Sequence, residues 1–175
     1  GVVQVVGNTY AFAAIKGNGS VVSWGERDSG GDISSVADKL QNGVVQVVGN
    51  TYAFAAVKDD GSVVSWGNKH FGGNSSLVVD KLQQGVVQVV GNTYAFAAIK
   101  GNGSVVSWGE RDSGGDISSV ADKLQNGVVQ VVGNTYAFAA VKDDGSVVSW
   151  GNKHFGGNSS LVVDKLQQGV VQVVG

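Results

Sequence analysis

Gly19-Ser20-Val21-Val22-Ser23-Trp24-Gly25 returns unchanged at residues 61–67, 103–109 and 145–151, each time 42 residues further along the chain. A period of this size marks one supersecondary unit that cannot bury its apolar face alone and is stabilised by stacking on copies of itself. Working outward from this stretch, residues 1–42 form a unit A, 43–84 a unit B, 85–126 a second A and 127–168 a second B. Residues 169–175 repeat the opening Gly-Val-Val-Gln-Val-Val-Gly and read as the first strand of a fifth unit, so residues 1–91 and 85–175 are identical. The translational step is therefore an 84-residue A–B pair inside a single array, 1–175. Because Gly1 already lies inside the repeat register, the chain reads as a segment of a longer array.

Within unit A, Val2-Val3-Gln4-Val5-Val6 is a strand so rich in valine that both of its faces are expected to be largely covered. Gly7-Asn8 turns the chain into Thr9–Lys16, where large Tyr10 and Phe12 alternate with small Ala11 and Ala13. That alternation, with glycine on both sides, favours a strand with two unlike faces over an alanine-rich helix. Gly17-Asn18-Gly19, and Asp59-Asp60-Gly61 in unit B, are then tight hairpin turns whose last glycine takes positive φ, and Ser20–Trp24 is the returning strand.

Past Gly25 a polar loop, Glu26–Gly31, leads into an expected short helix from Ile33 to Asn42, with Asp32 as N-cap and Gly43 as stop. Ile33, Val36, Ala37 and Leu40 share one face of it, as Val78 and Leu82 do in unit B, where Asn74 caps and Gly85 stops. The expected fold is a mainly β tandem-repeat protein with three strands and one short helix per 42-residue unit, stacked as an open superhelical solenoid, with a β-propeller as the alternative. Its core is assigned to Trp24, Trp66, Trp108 and Trp150 together with Phe12, Phe54, Phe96 and Phe138. The tryptophans are expected between hairpin and helix, against residues such as Val36 and Leu40.

Units A and B differ at 12 of 42 positions, and the strands change only where Ile15 becomes Val57. Glu26, Arg27, Asp28 and Asp32 sum to −2, whereas Asn68, Lys69, His70 and Asn74 sum to +1 with histidine neutral. Aligned along one edge, such loops alternate in charge, which marks Glu26, Arg27, Asp28, Lys69, His70, Phe71, Lys153, His154 and Phe155 as candidate lateral-contact residues. Exposed ion pairs contribute only about 0–1 kcal/mol each, so the alternation sets register more than stability.

The pattern Val3-x-x-Val6, Ala11-Phe12-Ala13-Ala14, Gly19-Ser20-Val21-Val22, Trp24-Gly25 and Gly30-Gly31 resembles the tandem repeats of the regulator-of-chromosome-condensation type. It is closer still to the alanine-phenylalanine and tryptophan-glycine repeats found in long arrays in very large bacterial and protist proteins. The resemblance covers all four units and implies a β-repeat scaffold. It implies no nucleotide-exchange activity, because the 42-residue unit is shorter than that family's blade and a helical segment stands where its fourth strand would be.

Chemistry is sparse. His70 and His154 lie beside Phe71 and Phe155 with no convergent carboxylate and no cysteine anywhere in the chain, so they read as surface or inter-unit contacts. The Glu26, Asp28 and Asp32 carboxylates are replaced by Asn68, His70 and Asn74 in unit B and match no calcium-loop spacing. Gly17-Asn18-Gly19 lies between strands, which makes it a turn and not a dinucleotide loop, and no serine stands in a nucleophile elbow. No enzyme activity, cofactor or metal is expected. Twelve basic and fourteen acidic residues give a net charge of −2, without the positive stripe that nucleic acid requires, and no apolar run is long enough to span a membrane.

Near-perfect repetition points first to a structural segment of a fibre, stalk or surface filament, self-associating end to end or laterally. The alternative is a repeat scaffold that binds protein or glycan through its variable loops. An extracellular or cell-surface location fits the absence of cysteine, which is equally compatible with the cytoplasm.

Overall fold

In the computed structural model, which describes residues 1–175, the repeat becomes four separate three-stranded antiparallel sheets, each in simple up-and-down order. The sheets are β1 (Val2–Gly7), β2 (Ala11–Lys16) and β3 (Val21–Gly25); β4 (Val44–Gly49), β5 (Ala53–Lys58) and β6 (Val63–Gly67); β7 (Val86–Gly91), β8 (Ala95–Lys100) and β9 (Val105–Gly109); β10 (Val128–Gly133), β11 (Ala137–Lys142) and β12 (Val147–Gly151). The hairpin between the second and third strand closes as its glycine chemistry requires: Gly61 has φ +76°, and a β-carbon there would lie 2.6 Å from the Gly85 nitrogen of the next unit. The turn thus folds its own hairpin and receives the following unit.

The core lies between sheets. Strand alternation sends Ala53, Ala55 and Val57 of β5 into one layer, with Leu82, Val86, Val89, Phe96 and Trp108, and sends Phe54 and Ala56 into the preceding layer, with Ala11, Ala13, Ile15, Leu40 and Trp66. One face of each middle strand is small and the other carries a phenylalanine, so the small face of one sheet accepts the Phe/Trp face of the next. Three such layers join the four sheets.

Polar ties cross the same interfaces. The Val44 N–H donates to the Gly19 carbonyl at 3.0 Å, and Val86 repeats this to Gly61 at 2.9 Å. The Lys58 Nζ donates to the Lys39 carbonyl at 3.0 Å, and Lys100 and Lys142 do the same to Lys81 and Lys123, placing a cation on the carbonyl end of the preceding helical turn.

Several expectations are corrected. The segment Ile33–Asn42 is no α-helix: its helical part is one 3-10 turn at Ala37–Leu40, matched by a longer 3-10 stretch, Ser76–Leu82, in unit B. So short a segment lacks the length that offsets α-helix nucleation, and the Val36 N–H closes onto Ile33 three residues back. The expected caps are also displaced: the 3-10 segments begin after Val36 and Ser75, which make no side-chain cap bond, while Asp32 and Asn74 accept from the N–H groups of Ser34 and Ser76 at 2.8 and 2.9 Å and close the turn ahead of the segment. A second helical turn, Arg27–Ser29 in the first unit, forms where only a loop was expected. The valine strand is not covered on both faces: a register shift between Val44 and Gln46 leaves Val45 exposed, as it does Val87 and Val129.

The tryptophan assignment holds for three of four and is displaced by one unit. Trp66, Trp108 and Trp150 are buried, whereas Trp24 and Phe12 are each 48% exposed. Trp66 does meet Leu40 and Val36, but these belong to the preceding unit, so the first unit's Trp24 and Phe12 have nothing before them to pack on. Residues 169–175 belong to no sheet, since the strand that would pair with them, a fifth Ala-Phe-Ala-Ala segment, is not in the sequence. No helix is long and apolar enough to cross a membrane.

Candidate interaction surface

The segments in which A and B differ are held out from the sheet ends by a shared scaffold. Asn50 shows how: its Oδ1 accepts from the Tyr52 and Ala53 N–H groups at 2.9 and 2.8 Å, and its Nδ2 donates to the Phe71 carbonyl at 2.6 Å. Asn92 makes the corresponding bonds, its Nδ2 reaching the Ser113 carbonyl. One amide therefore fixes the turn between first and second strand and the variable loop of the same unit. The next unit holds that loop from the other side, because the Trp66, Trp108 and Trp150 Nε1 groups donate to the carbonyls of Gly30, Gly72 and Gly114 at 3.1, 3.0 and 3.1 Å.

In unit A, Glu26 Oε1 accepts from the Asp28 N–H at 3.1 Å and Arg27 Nε pairs with Asp32 Oδ2 at 3.1 Å. The Ser34 N–H and hydroxyl, and then Arg27, hold the Asp32 carboxyl below its ordinary range. In unit B the same turn is neutral at its cap, Asn68 Oδ1 accepting from the His70 N–H at 3.0 Å. Between the loops of A and B lies an open cleft of about 490 Å³ walled by Arg27, Asp28, Asp32, Ser34, Lys69 and His70, with no apolar side chain. It recurs between Arg111, Asp112 and Asp116 on one side and Lys153 and His154 on the other.

The expected alternation of charge is therefore present as two walls of one cleft. No ion pair crosses it: the two pairs formed, Arg27–Asp32 and Arg111–Asp116, stay within a loop. Phe71 is drawn out of the lateral set, since it is half-buried against Tyr52 at 4.7 Å and Tyr94 at 5.3 Å within a row of stacked tyrosines. Phe155 contacts Tyr136 at 4.7 Å but stays half exposed.

Two residues outside the expected set complete the surface. Leu77 and Leu161 are 100% and 98% exposed, on the rim of unit B where unit A has Ser35 and Ser119. Leu77 borders a further cleft of about 390 Å³ that includes His70, Trp108, Glu110 and Arg111. The signal is in the sequence: a serine-to-leucine exchange between otherwise similar units, at a position next to, but not on, the inner face formed by Val78 and Leu82. No titratable cluster with the spacing of a metal site forms anywhere.

Neither a known protein-family model nor a curated protein matches the chain. Solved structures do. The chain is similar to the ectodomain of the receptor kinase CR4 from Physcomitrella patens, with 15% identity and a TM-score of 0.59 over 90% of this chain and 42% of that one. It is similar to Prp20p from Saccharomyces cerevisiae, with 18% identity and a TM-score of 0.56 over 86% and 43%. It is also similar to the CRINKLY WD40 ectodomain of the Arabidopsis thaliana receptor kinase ACR4, with 20% identity and a TM-score of 0.55 over 87% and 51%. The chain thus spans about half the length of these structures, and the likeness describes a repeat fold of the RCC1 and WD40-propeller kind.

Proposed function

We propose that this chain is a non-enzymatic repeat scaffold that binds protein through the variable edge of its units, the four sheets forming an open array. The observation that carries the reading is the pair Leu77 and Leu161, which contribute nothing to the core and stand exposed at the same repeat position, 84 residues apart. Leu77 borders a cleft whose wall carries both signs of charge, Lys69 and Arg111 with Glu110, and an apolar anchor with a charged rim is the usual anatomy of a protein-binding patch. In keeping with this, Prp20p is described by its binding to Gsp1p and histones. Selection of a random peptide library on the immobilised chain tests the reading. Enriched peptides are expected to lose binding to an L77S/L161S variant, which carries unit A's residue and melts like the parent; peptides that bind both equally, or no enrichment, count against it.

A second reading, a segment of a fibre or stalk, is favoured by a different observation. Val2, Val5, Phe12, Val22 and Trp24 form an exposed apolar face whose counterparts in later units are buried under a neighbour. Stacking is the way this repeat covers such a face.

A further inference from the structure

That exposed face has a known complement. Residues 1–42 have the sequence of residues 85–126, and residues 127–168 have the sequence of residues 43–84, the unit on which 85–126 is seated. Val86, Val89, Phe96, Val106 and Trp108, all buried, are the counterparts of exposed Val2, Val5, Phe12, Val22 and Trp24. The opposite end is incomplete in the complementary way: Leu82 is fully buried in that layer, whereas its counterpart Leu166 is only half-buried. Seating the first unit of one copy on the last unit of another would therefore recreate, residue for residue, a layer the protein already contains.

One element is in excess at such a junction. The intact layer holds a single Gly-Val-Val-Gln-Val-Val-Gly strand, residues 85–91, but a junction between copies would contain two, residues 169–175 of one copy and residues 1–7 of the other. Residues 169–175 already follow the track of a first strand. The Val170 N–H donates to the Gly145 carbonyl at 3.0 Å, as Val86 does to Gly61, and a β-carbon at Gly175 would lie 2.8 Å from the Gly133 carbonyl, as one at Gly91 would lie 3.2 Å from that of Gly49. What they lack is the middle strand that pairs with them.

We propose that copies of this chain join head to tail by strand exchange: residues 169–175 of one copy pair with Ala11–Lys16 of a second and displace that copy's own residues 1–7. The displaced strand and its replacement have the same sequence, so the register Val5↔Ala14 is re-formed as Val173↔Ala14 and no backbone bond of the second copy's sheet is lost. Trp24 of the second copy gains the carbonyl of Gly156, and its Lys16 gains that of Lys165, the partners that Trp108 and Lys100 find in Gly72 and Lys81. The interface is heterologous, so each junction leaves a free face at either end for the next copy. The inference stands independently of what the loops bind.

The test uses the full chain, which has no native cysteine. Sedimentation of the unaltered chain at rising concentration is expected to show masses of at least twice the single chain, and Trp24→Glu, at a side chain already half exposed, is expected to abolish them. A V173C/A14C variant is expected to form an intermolecular disulfide and a covalent ladder on oxidation. Its counterpart V5C/A14C is expected to link within one chain on oxidation and, with its own first strand locked in place, to stay monomeric in sedimentation. A chain that stays monomeric to its solubility limit overturns the proposal. So does association that persists without the V173C–A14C link, which would mean that the faces dock with both first strands left in place.

Discussion

Replacing Trp108 and Trp24 separately by alanine asks whether one residue type at one repeat position is worth different amounts according to what precedes it. Trp108 is 3% exposed, is stacked 5.5 Å from Phe96 and donates its indole N–H to the Gly72 carbonyl at 3.0 Å. A buried tryptophan removes about 250 Å² from water, which at about 25 cal/mol per Å² is about 6 kcal/mol of transfer free energy. The alanine methyl and partial collapse of the site recover some of this, and the lost hydrogen bond adds to the cost, leaving about 4–5 kcal/mol for Trp108→Ala. Trp24 has about half the burial and no indole partner, so Trp24→Ala is expected to cost about 2 kcal/mol. Equilibrium urea unfolding followed by far-ultraviolet circular dichroism, at a concentration where the chain is monomeric, measures both. Equal losses would refute the reasoning, because they would mean that the indole is held within its own unit and not by the one before.

Other outcomes use the repeat as its own control. Asn50→Ala strips acceptors from the Tyr52 and Ala53 N–H groups and the donor from the Phe71 carbonyl, and is expected to cost about 2–4 kcal/mol; a thermal melt shifted by less than the error of measurement contradicts this. Ser107 donates to the Phe96 carbonyl at 2.8 Å, whereas the buried Ser65 hydroxyl of unit B has no partner, so Ser107→Ala should destabilise by about 1 kcal/mol and Ser65→Ala should be neutral or stabilising; urea midpoints that move alike would argue otherwise. The Ser62 and Ser146 hydroxyls, and then their N–H groups, hold the Asp60 and Asp144 carboxyls below their ordinary range. A lowered carboxyl contributes stability that is present above the ordinary carboxylate range and lost as pH falls through the lowered value. Asn18 makes the same bonds without titrating, at 3.0 and 2.7 Å, so D60N/D144N should show a shallower fall in melting temperature on acidification; an unchanged acid limb would exclude the contribution.

The strands and hairpins were legible because each local signal acts within a few residues: the alternation Tyr10-Ala11-Phe12-Ala13 fixes two unlike faces, and Gly19 and Gly61 supply the positive φ their turns require. The helical segment was misread because Ile33, Val36, Ala37 and Leu40 have the spacing of an α-helical face, yet a 3-10 turn followed at once by a strand buries Leu40 equally well. Which unit a tryptophan packs on was not legible at all. Identical repeats offer Val36 and Leu40 at every step, and only the three-dimensional offset makes the preceding unit the partner. The same uniformity hid the exposure of Trp24 and Phe12, which share their neighbours in sequence with fully buried copies. Of the interaction surface, the charged loop residues stood out because A and B differ there, while Leu77 did not, because a single serine-to-leucine exchange in a segment that also holds Val78, Val79 and Leu82 carries no sign of which way the side chain faces.

The central claim is that the units stack in an open array whose step is the A–B pair, each unit covering the apolar face of the next. Small-angle X-ray scattering on dilute, monomeric chains lengthened by one and by two further copies of residues 1–84 measures this directly. The account predicts a maximum dimension that rises by a constant increment with each added pair; a dimension that stops growing while the particle becomes a compact ring would contradict it.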